Sequence, residues 1–324
     1  MGRKPEGKVI KLVHDLPYRN FADIYYTIFE FDHVPYEWVH ILSRAKCIFT
    51  ASQFAKSAFV NSGIPPEKIF VALHPIYTKP SPLGDTYKIS AAENLEENGE
   101  KVSIRKELKD SFKFLAVFEW VMRKRPDILV QAFVNEFDKR ENVSLILRTW
   151  TSNINTLAAN IKKFANGDPR VFWMKDHVSD IYKLYRSCDA HVSTNTGEGY
   201  GLTMAESMLC GLPTIGPNYG GSLEFMNKEN SWLAEMGPLE YIGERNDNAI
   251  IWVRPDMKWR VPLVDAVRAK MREVYETFKD VPKGERLLHP KLTEALKLKE
   301  KLTIKNVSKM MEPGLNYATE NKSN

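Results

Sequence analysis

A glycine-rich segment between an apolar strand and a helix constrains the fold of this chain most strongly. Asp189–Thr194 is typical of a short strand and Met204–Leu209 of a helix, with three glycines at positions 197–201 between them. Glycine lets the backbone approach a ligand closely, and a helix N-terminus directs unpaired N–H groups at an anion. The segment therefore predicts a strand–turn–helix unit that binds a phosphate, with Glu198 and Glu206 placed to hold hydroxyl groups on either side of it.

A purely structural interpretation of the same residues is also open. Thr203 and Glu206 have the T-x-x-E spacing of a capping box, in which Glu206 satisfies only the backbone N–H of Thr203. Glycine-rich turns between strands and helices are common, so this segment by itself does not separate the two interpretations.

The rest of the chain alternates between apolar strands and helices. In the first region, strands are predicted at 9–13, 24–31, 47–50 and 68–73, and helices from Pro35 to Ser43 and, capped by Ser52, to Asn61. In the second region, strands are predicted at 114–118, 143–148, 171–174, 190–193, 214–215 and 250–253, with helices at 126–137, 155–164, 178–187 and 203–210. Strands separated by helices indicate parallel sheets with crossover connections, and hence the α/β class.

Changes in composition divide the chain into four parts. Residues 1–77 form a first α/β domain, 78–110 a polar linker or loop, 111–280 a second α/β domain, and 281–324 C-terminal helices and a tail. We expect the C-terminal helices to pack back on the first domain, and the tail after Pro313 to be frayed.

The composition excludes several classes of protein. In 324 residues, 43% of them hydrophobic, no run approaches the ~18 to 20 apolar residues that span a bilayer. Residues 1–8 lack the apolar core of a signal peptide, and Cys47, Cys188 and Cys210 have no metal-type spacing. We therefore expect a cytoplasmic protein, with basic clusters that allow peripheral contact with an anionic membrane. The aromatic pattern of RNA-recognition sheets is absent, which argues against nucleic acid as a partner.

Several further motifs occur in order around the glycine-rich segment. Arg123-Lys124 follows the first strand of the second domain, Asp180–Asp189 leads into the fourth strand, and Gly211-Leu212-Pro213-Thr214-Ile215 follows the frame E-G-x-G-L-x-x-x-E of 198–206. The region from about Phe112 to Met311 resembles the donor domain of the GT-B glycosyltransferases of family 4, which are retaining enzymes. The first domain is similar to this family in Tyr26–Glu30, Ser52–Phe54, Gly63-Ile64 and Lys68-Ile69.

The resemblance implies a fold, a reaction and a set of ligands. The fold is GT-B: two Rossmann-like, doubly wound parallel-sheet domains with a cleft between them, the N-terminal one truncated. The reaction is transfer of a sugar, with retention, from a UDP-, GDP- or ADP-sugar to a hydroxyl of a glycan, a lipid-linked sugar or a protein. The family implies no cofactor and no metal.

The resemblance also assigns roles by position. It implies Glu198, Lys124 and His14 as catalytic residues and Glu30 as an acceptor-side residue, with His33 a weaker alternative to His14. The implied donor-binding residues are Glu206 for the ribose, Arg123 and Thr203, and the backbone of Gly199, Tyr200, Gly201 and Leu202. Base selectivity would come from the segment around Trp173-Met174-Lys175 and Val178.

Two departures from the family leave alternatives open. Glu119 stands where the family usually has an arginine, so Arg123 or Arg148 must supply the second positive charge for a diphosphate. The first domain is about half the usual length. Either it is a minimal domain, or a partner chain or a second copy of this chain completes it. A nucleotide-sugar-binding subunit that is active only with a partner is therefore one alternative function, and a GT-B phosphorylase or epimerase is another.

Overall fold

A computed structural model describes most of the chain. The described residues are 12–13, 22–76, 80–86, 89, 92–94, 107–151, 154–175, 178–243 and 253–320. His14 and residues 250–252 of the predicted strand at 250–253 lie outside the described residues, and Val253 is not in a strand.

The N-terminal domain is built on a four-stranded parallel sheet. Its strands β1 to β4 are Leu12–Val13, Ile24–Tyr26, Cys47–Thr50 and Ile69–Val71, in the order β1-β2-β3-β4. Its helices are α1, Tyr36–Leu42, and α2, Gln53–Asn61. As the sequence predicts, Ser52 caps α2, its Oγ accepting a hydrogen bond from the Ala55 N–H. The second strand is shorter than the predicted 24–31. It ends at Tyr26, and the chain continues as a loop towards the second domain.

The second domain is built on a seven-stranded sheet. Its strands β5 to β11 are Ala92–Asn94, Phe112–Glu119, Val143–Trp150, Val171–Met174, Ala190–Val192, Thr214–Pro217 and Trp232–Ala234. Its helices α3 to α7 are Glu107–Asp110, Pro126–Glu136, Ile154–Ala165, Ile181–Ser187 and Leu202–Leu209. These two helix-flanked sheets confirm the α/β class with two parallel-sheet domains.

The strand order of the second sheet locates a ligand site. The order is β11-β10-β9-β6-β7-β8-β5, and every pair is parallel except β5 with β8. The order reverses between β6 and β9, and ligands of open α/β sheets bind outside the carboxyl ends of strands at such a switch point. The loops that follow β6 and β9 carry Lys124 and Glu198, so the predicted site residues lie at this point.

Two later strands form an arm that reaches the N-terminal domain. Strands β12, Met236–Tyr241, and β13, Lys258–Pro262, are antiparallel. We call residues 236–262, as far as they are described, the arm. Its Met257 and Trp259 are buried in the same apolar cluster as Phe31 and Trp38 of the N-terminal domain. The sequence pattern does not predict this arm.

Five helices complete the chain. Helices α8 to α12 are Val264–Phe278, Lys283–Arg286, Pro290–Leu296, Leu298–Lys301 and Ile304–Glu320. The last helix packs on β3 and β4, where Gly314 faces the ring of Phe49 and Tyr317 contacts Phe70 at a ring-centroid distance of 5.6 Å. The prediction of a frayed tail after Pro313 is wrong: α12 continues through this proline to Glu320 and is anchored by packing on the N-terminal sheet.

Candidate functional site

The loop after β6 positions two basic side chains. It forms a short 3-10 turn at Met122–Lys124, after which Arg125 takes the left-handed conformation, with φ +46°, and α4 begins with Pro126 in its first turn. Arg123 and Lys124 are thereby placed on the side of the loop that faces the chain after β9. The side chains of both are largely buried, with 15% and 14% of their surface exposed.

Hydrogen bonds join this loop to the loop after β9. The Thr194 hydroxyl donates to the Lys124 carbonyl at 2.9 Å, and the backbone N–H of Thr196 donates to the Arg123 carbonyl at 2.8 Å. The two loops at the switch point are therefore held together by the chain itself, which fixes Lys124 and Glu198 relative to each other.

The Glu198 carboxylate is the centre of the site. Lys124 Nζ donates to its Oε2, Asn195 Nδ2 donates to the same oxygen at 2.8 Å, and the backbone N–H of Tyr200 also hydrogen-bonds to the carboxylate. Burial alone would raise the pKa of Glu198, but Lys124 and Arg123 beside it hold this pKa below its ordinary value. Glu198 is therefore a buried anion with paired positive charges. Asn195 was not predicted, and its proximity to Glu198 along the chain is the one signal in the sequence that indicates it.

Arg123 contacts both domains. One of its terminal nitrogens lies 3.2 Å from Glu30 Oε1, and the other donates to the Gly197 carbonyl at 3.2 Å and lies 3.6 Å from Glu198 Oε2. Its Nε is buried without a hydrogen-bond partner among the described residues. The structure thus brings together Glu30, Arg123, Lys124 and Glu198, four of the residues that the sequence analysis selected.

Three positions in this site require glycine, two because of close contacts and one because of a positive φ. A Cβ on Gly197 would lie 2.1 Å from the Glu30 carbonyl oxygen, and a Cβ on Gly221 would lie 2.0 Å from the Gly199 carbonyl oxygen. Gly201 precedes α7 with φ +99°, a conformation that side chains disfavour. The glycines therefore allow the loop after β9 to pass against the N-terminal domain and against the turn at Gly220-Gly221.

Glu206 lies one turn into α7 and faces a tyrosine. The Tyr185 hydroxyl donates to Glu206 Oε2 at 3.3 Å. The capping-box prediction is wrong, because α7 begins at Leu202 with Gly201 as its N-cap and no side chain caps it. Burial raises the pKa of Glu206 to about 6, against the lowering effect of hydrogen bonds from Tyr185 and Tyr182. Glu206 therefore changes charge close to neutral pH.

The remaining predicted donor residues follow the same turn. The Gly199 carbonyl accepts a hydrogen bond from Ser52 Oγ at 2.7 Å, so this backbone contacts the N-terminal domain. Tyr200 is buried between the domains, with its ring 5.1 Å from that of Phe225. Leu202 is partly exposed and Thr203 half-buried in the first turn of α7.

The other candidate residues contact groups other than Glu198. His33 Nδ1 is 3.1 Å from Asp32, and its Nε2 is 3.4 Å from Asp256 of the arm. The Arg148 guanidinium lies over the Trp150 ring at 5.7 Å, and Lys175 Nζ lies over the Trp173 ring at 4.8 Å. Glu119 is exposed at the end of β6.

Comparisons with known proteins bear on the fold and on the family pattern of residues 110–243. Residues 110–243 match the family model of the group 1 glycosyl transferases. No curated protein matches the chain. Among solved structures, HepE from Anabaena in complex with UDP and glucose aligns with a TM-score of 0.60 and 15% identity, over 90% of this chain and 71% of its own.

Two further structures have the same fold. A variant of TarM from S. aureus, in complex with fondaparinux, alpha-GlcNAc-glycerol and UDP, aligns with a TM-score of 0.58 and 15% identity, over 91% of this chain and 50% of its own. The GtfA/B complex aligns with a TM-score of 0.59 and 13% identity, over 92% of this chain and 53% of its own. These alignments confirm the GT-B architecture, and residues 110–243 are the part of the chain with the group 1 glycosyltransferase pattern.

The part of the chain that the structure describes lacks two other kinds of feature. None of the described helices combines the length and apolar character needed to cross a membrane. Within the described ranges, no three histidine, cysteine or carboxylate side chains cluster in a way that would hold a metal ion.

Proposed function

We propose that this chain is a retaining glycosyltransferase that moves a sugar from a nucleotide-diphosphate sugar to a hydroxyl acceptor. The observation that carries the proposal is the buried Lys124–Glu198 pair at the switch point of the second sheet. It lies beside the N-terminus of α7, within the region that matches the group 1 glycosyltransferases. The structural neighbour HepE binds UDP and glucose, which favours a nucleotide-sugar ligand.

In this proposal the donor nucleotide lies along the carboxyl ends of β6 and β9. The ionised Glu206 carboxylate accepts hydrogen bonds from the ribose hydroxyls. Lys124 and Arg123 neutralise the diphosphate, on which negative charge accumulates as the bond to the sugar breaks. Because this charge is largest in the transition state, fixed cations accelerate the step more than they tighten ground-state binding.

The Glu198 carboxylate acts on the sugar side of the bond that breaks. It lies next to Lys124, where the transferred sugar meets the diphosphate, and it is held ionised by its two basic neighbours. There it accepts hydrogen bonds from sugar hydroxyls and stabilises positive charge that develops at the anomeric carbon. The N-terminal domain covers this centre through Glu30 and Ser52, and its closure excludes water from the reaction.

A second candidate function is a donor-binding subunit that acts only with a partner chain. Glu119 supports this alternative, because its carboxylate stands where the resemblance implies a diphosphate-binding arginine. The GtfA/B neighbour is itself a complex. Turnover by the purified chain separates the two candidates.

The test is a thermal-shift titration of the wild type and Glu206→Ala with UDP, GDP, ADP and CDP. A ligand at a hundredfold excess over its Kd stabilises the native state by ~2.7 kcal/mol. We expect one nucleotide to raise the Tm of the wild type and to lose that effect in the variant. Product analysis with the matching sugar nucleotide then reports transfer and the anomeric configuration. No shift with any nucleotide contradicts donor binding, and binding without turnover favours the subunit.

A further inference from the structure

An ion pair crosses from one domain to the other at the candidate site. Glu30 lies on the loop after β2 of the N-terminal domain, and Arg123 on the loop after β6 of the second domain. The carboxylate and the guanidinium are 3.2 Å apart, with 20% and 15% of their side-chain surfaces exposed. A pair this well shielded from water is a stronger interaction than a solvated surface pair.

Arg123 and Lys124 differ in how they contact Glu198. Lys124 donates directly to Glu198, whereas Arg123 stands 3.6 Å from that carboxylate and keeps a buried Nε without a partner among the described residues. Carboxylates and phosphates bind the same planar N–H groups of a guanidinium. A diphosphate that binds Arg123 therefore competes with Glu30 for it.

The backbone and the carboxylate of Glu30 contact the second domain at different places. The Glu30 carbonyl packs directly on Gly197, where a Cβ would lie 2.1 Å from the oxygen. Its side-chain contact with the second domain is the pair with Arg123. A change of side-chain rotamer is therefore enough to move the carboxylate away from Arg123 without separating the domains.

We propose that Glu30 is an internal competitor for the donor diphosphate. The diphosphate displaces the Glu30 carboxylate from Arg123, and the displaced carboxylate turns into the cleft, where it accepts a hydrogen bond from an acceptor hydroxyl. Donor binding thus precedes completion of the acceptor site. This inference rests on the proposed function, since it assigns Arg123 to a diphosphate.

Isothermal titration calorimetry with UDP, GDP, ADP and CDP tests the competition. The proteins are the wild type, Glu30→Gln, Glu30→Asp and two controls, Glu119→Gln and Glu37→Gln. Glu119 adds negative charge near Arg123 from an exposed position, and Glu37 pairs with Arg254 of the arm at 3.0 Å. We expect Glu30→Gln to bind the preferred nucleotide about fivefold or more tightly than the wild type, with a smaller gain for Glu30→Asp. Glu37→Gln should change the Kd by less than about twofold, and Glu119→Gln should gain less affinity than Glu30→Gln does.

Two additional readouts sharpen the result. The corresponding nucleoside lacks phosphates, so its affinity should be the same for Glu30→Gln and the wild type. Glu30→Gln should also combine tighter donor binding with slower transfer, a combination that a merely structural residue does not produce.

Specific outcomes overturn the inference. Unchanged or weaker nucleotide binding by Glu30→Gln contradicts competition, and an equal gain in Glu119→Gln shows an effect of net charge alone. If the wild type binds a nucleotide and either of these results is observed, the inference fails and the proposed function stands. If neither the wild type nor any variant binds a nucleotide diphosphate, the proposed function and the inference fail together.

Discussion

The two sheets differ in how completely each builds its own core. The second sheet has two central strands, β6 and β7, of 8 residues each, buried over most of their length and covered by helices that follow directly in the chain. Strands β2 to β4 of the N-terminal sheet have 3 or 4 residues each. Its core is completed by Trp259 and Met257 of the arm and by helix α12.

This difference shows how the stability of the first domain depends on residues far away in the sequence. Short strands bury little apolar surface, and burial is the main stabilising contribution in a domain of this size. A further cluster joins Phe49 of the N-terminal sheet to Met204 of α7 and Leu302 near α12. The two domains therefore share an apolar core. The candidate catalytic residues Lys124 and Glu198 lie on loops of the second domain.

Removal of the arm's central side chain is the strongest test of this comparison. Trp259→Ala deletes a side chain with 2% exposure, and large-to-small changes of this kind cost about 3–5 kcal/mol. We expect denaturant unfolding to show this loss, and hydrogen exchange to accelerate in β2–β4 before β6–β8. The control is Tyr241→Ala on the same arm, where the side chain is 61% exposed and a change within about 0.5 kcal/mol is expected. Equal exchange in both sheets would show that the arm stabilises the molecule as one unit.

Substitution of Glu198 tests whether the chemistry belongs to the second domain. Glu198→Gln keeps the shape of the side chain and removes the buried negative charge beside Lys124. We expect the rate of sugar transfer to fall about 10²–10³-fold, the usual effect of losing a preorganised electrostatic contact. Steady-state kinetics with the sugar nucleotide measures it. Glu312→Gln on α12 is exposed and should retain full activity, so a similar loss in both variants would contradict the assignment.

The contact between α12 and the N-terminal sheet can be tested at a single glycine. A Cβ on Gly314 would lie 2.6 Å from the Phe49 ring, so Gly314→Ala forces the helix away from β3. Overpacking of this kind costs about 1–3 kcal/mol, and we expect a lower Tm with little change in nucleotide affinity. Gly284→Ala, on a helix where a Cβ meets no atom within 4 Å, is the matched control and should be neutral or slightly stabilising. A neutral Gly314→Ala would show that α12 does not hold the N-terminal sheet.

The smallest predicted effect is a pH dependence of donor binding. With a pKa of about 6, Glu206 is ionised above pH 6 and protonated below it, and only the carboxylate accepts hydrogen bonds from both ribose hydroxyls. Affinity for the sugar nucleotide should therefore fall as the pH is lowered, by about tenfold between pH 7 and pH 5. A sugar nucleotide is used because the terminal phosphate of a free nucleotide itself titrates near pH 6. Glu206→Gln should bind the sugar nucleotide weakly at both pH values. If this variant keeps the full pH dependence, the titration belongs to another group.

Much of the fold could be predicted because its signals are local. The strands at Cys47–Thr50 and Val171–Met174 and the cap at Ser52 agree with the structure, since apolar runs and capping residues act within a few residues. The arm was missed because β12 has exposed residues along its length and lacks the apolar pattern of a strand. It is a strand because it pairs with β13, whose Trp259 is buried against the N-terminal domain.

The candidate site divides in the same way. Glu198 and Glu206 were selected from the glycine-rich turn and Lys124 from the family resemblance, and Glu198 and Lys124 meet in the structure. The contacts of Asn195 and Tyr185 were not predicted, because they depend on loop geometry and on packing between helices. The wrong capping box has the same cause: the N-cap of α7 is Gly201, two residues before Thr203, which leaves Glu206 to face Tyr185.

The sequence by itself determined the α/β class, the alternation of strands and helices, and the segment in which the glycines and two carboxylates lie. These properties follow from periodicity, turn residues and caps, which are interactions between near neighbours in the chain. Only the tertiary structure decided that Glu30 pairs with Arg123, that the arm completes the N-terminal core, and that α12 stays helical beyond Pro313. Each of these results depends on burial and charge shared between residues about a hundred or more positions apart, and such contacts form only when the two domains pack together.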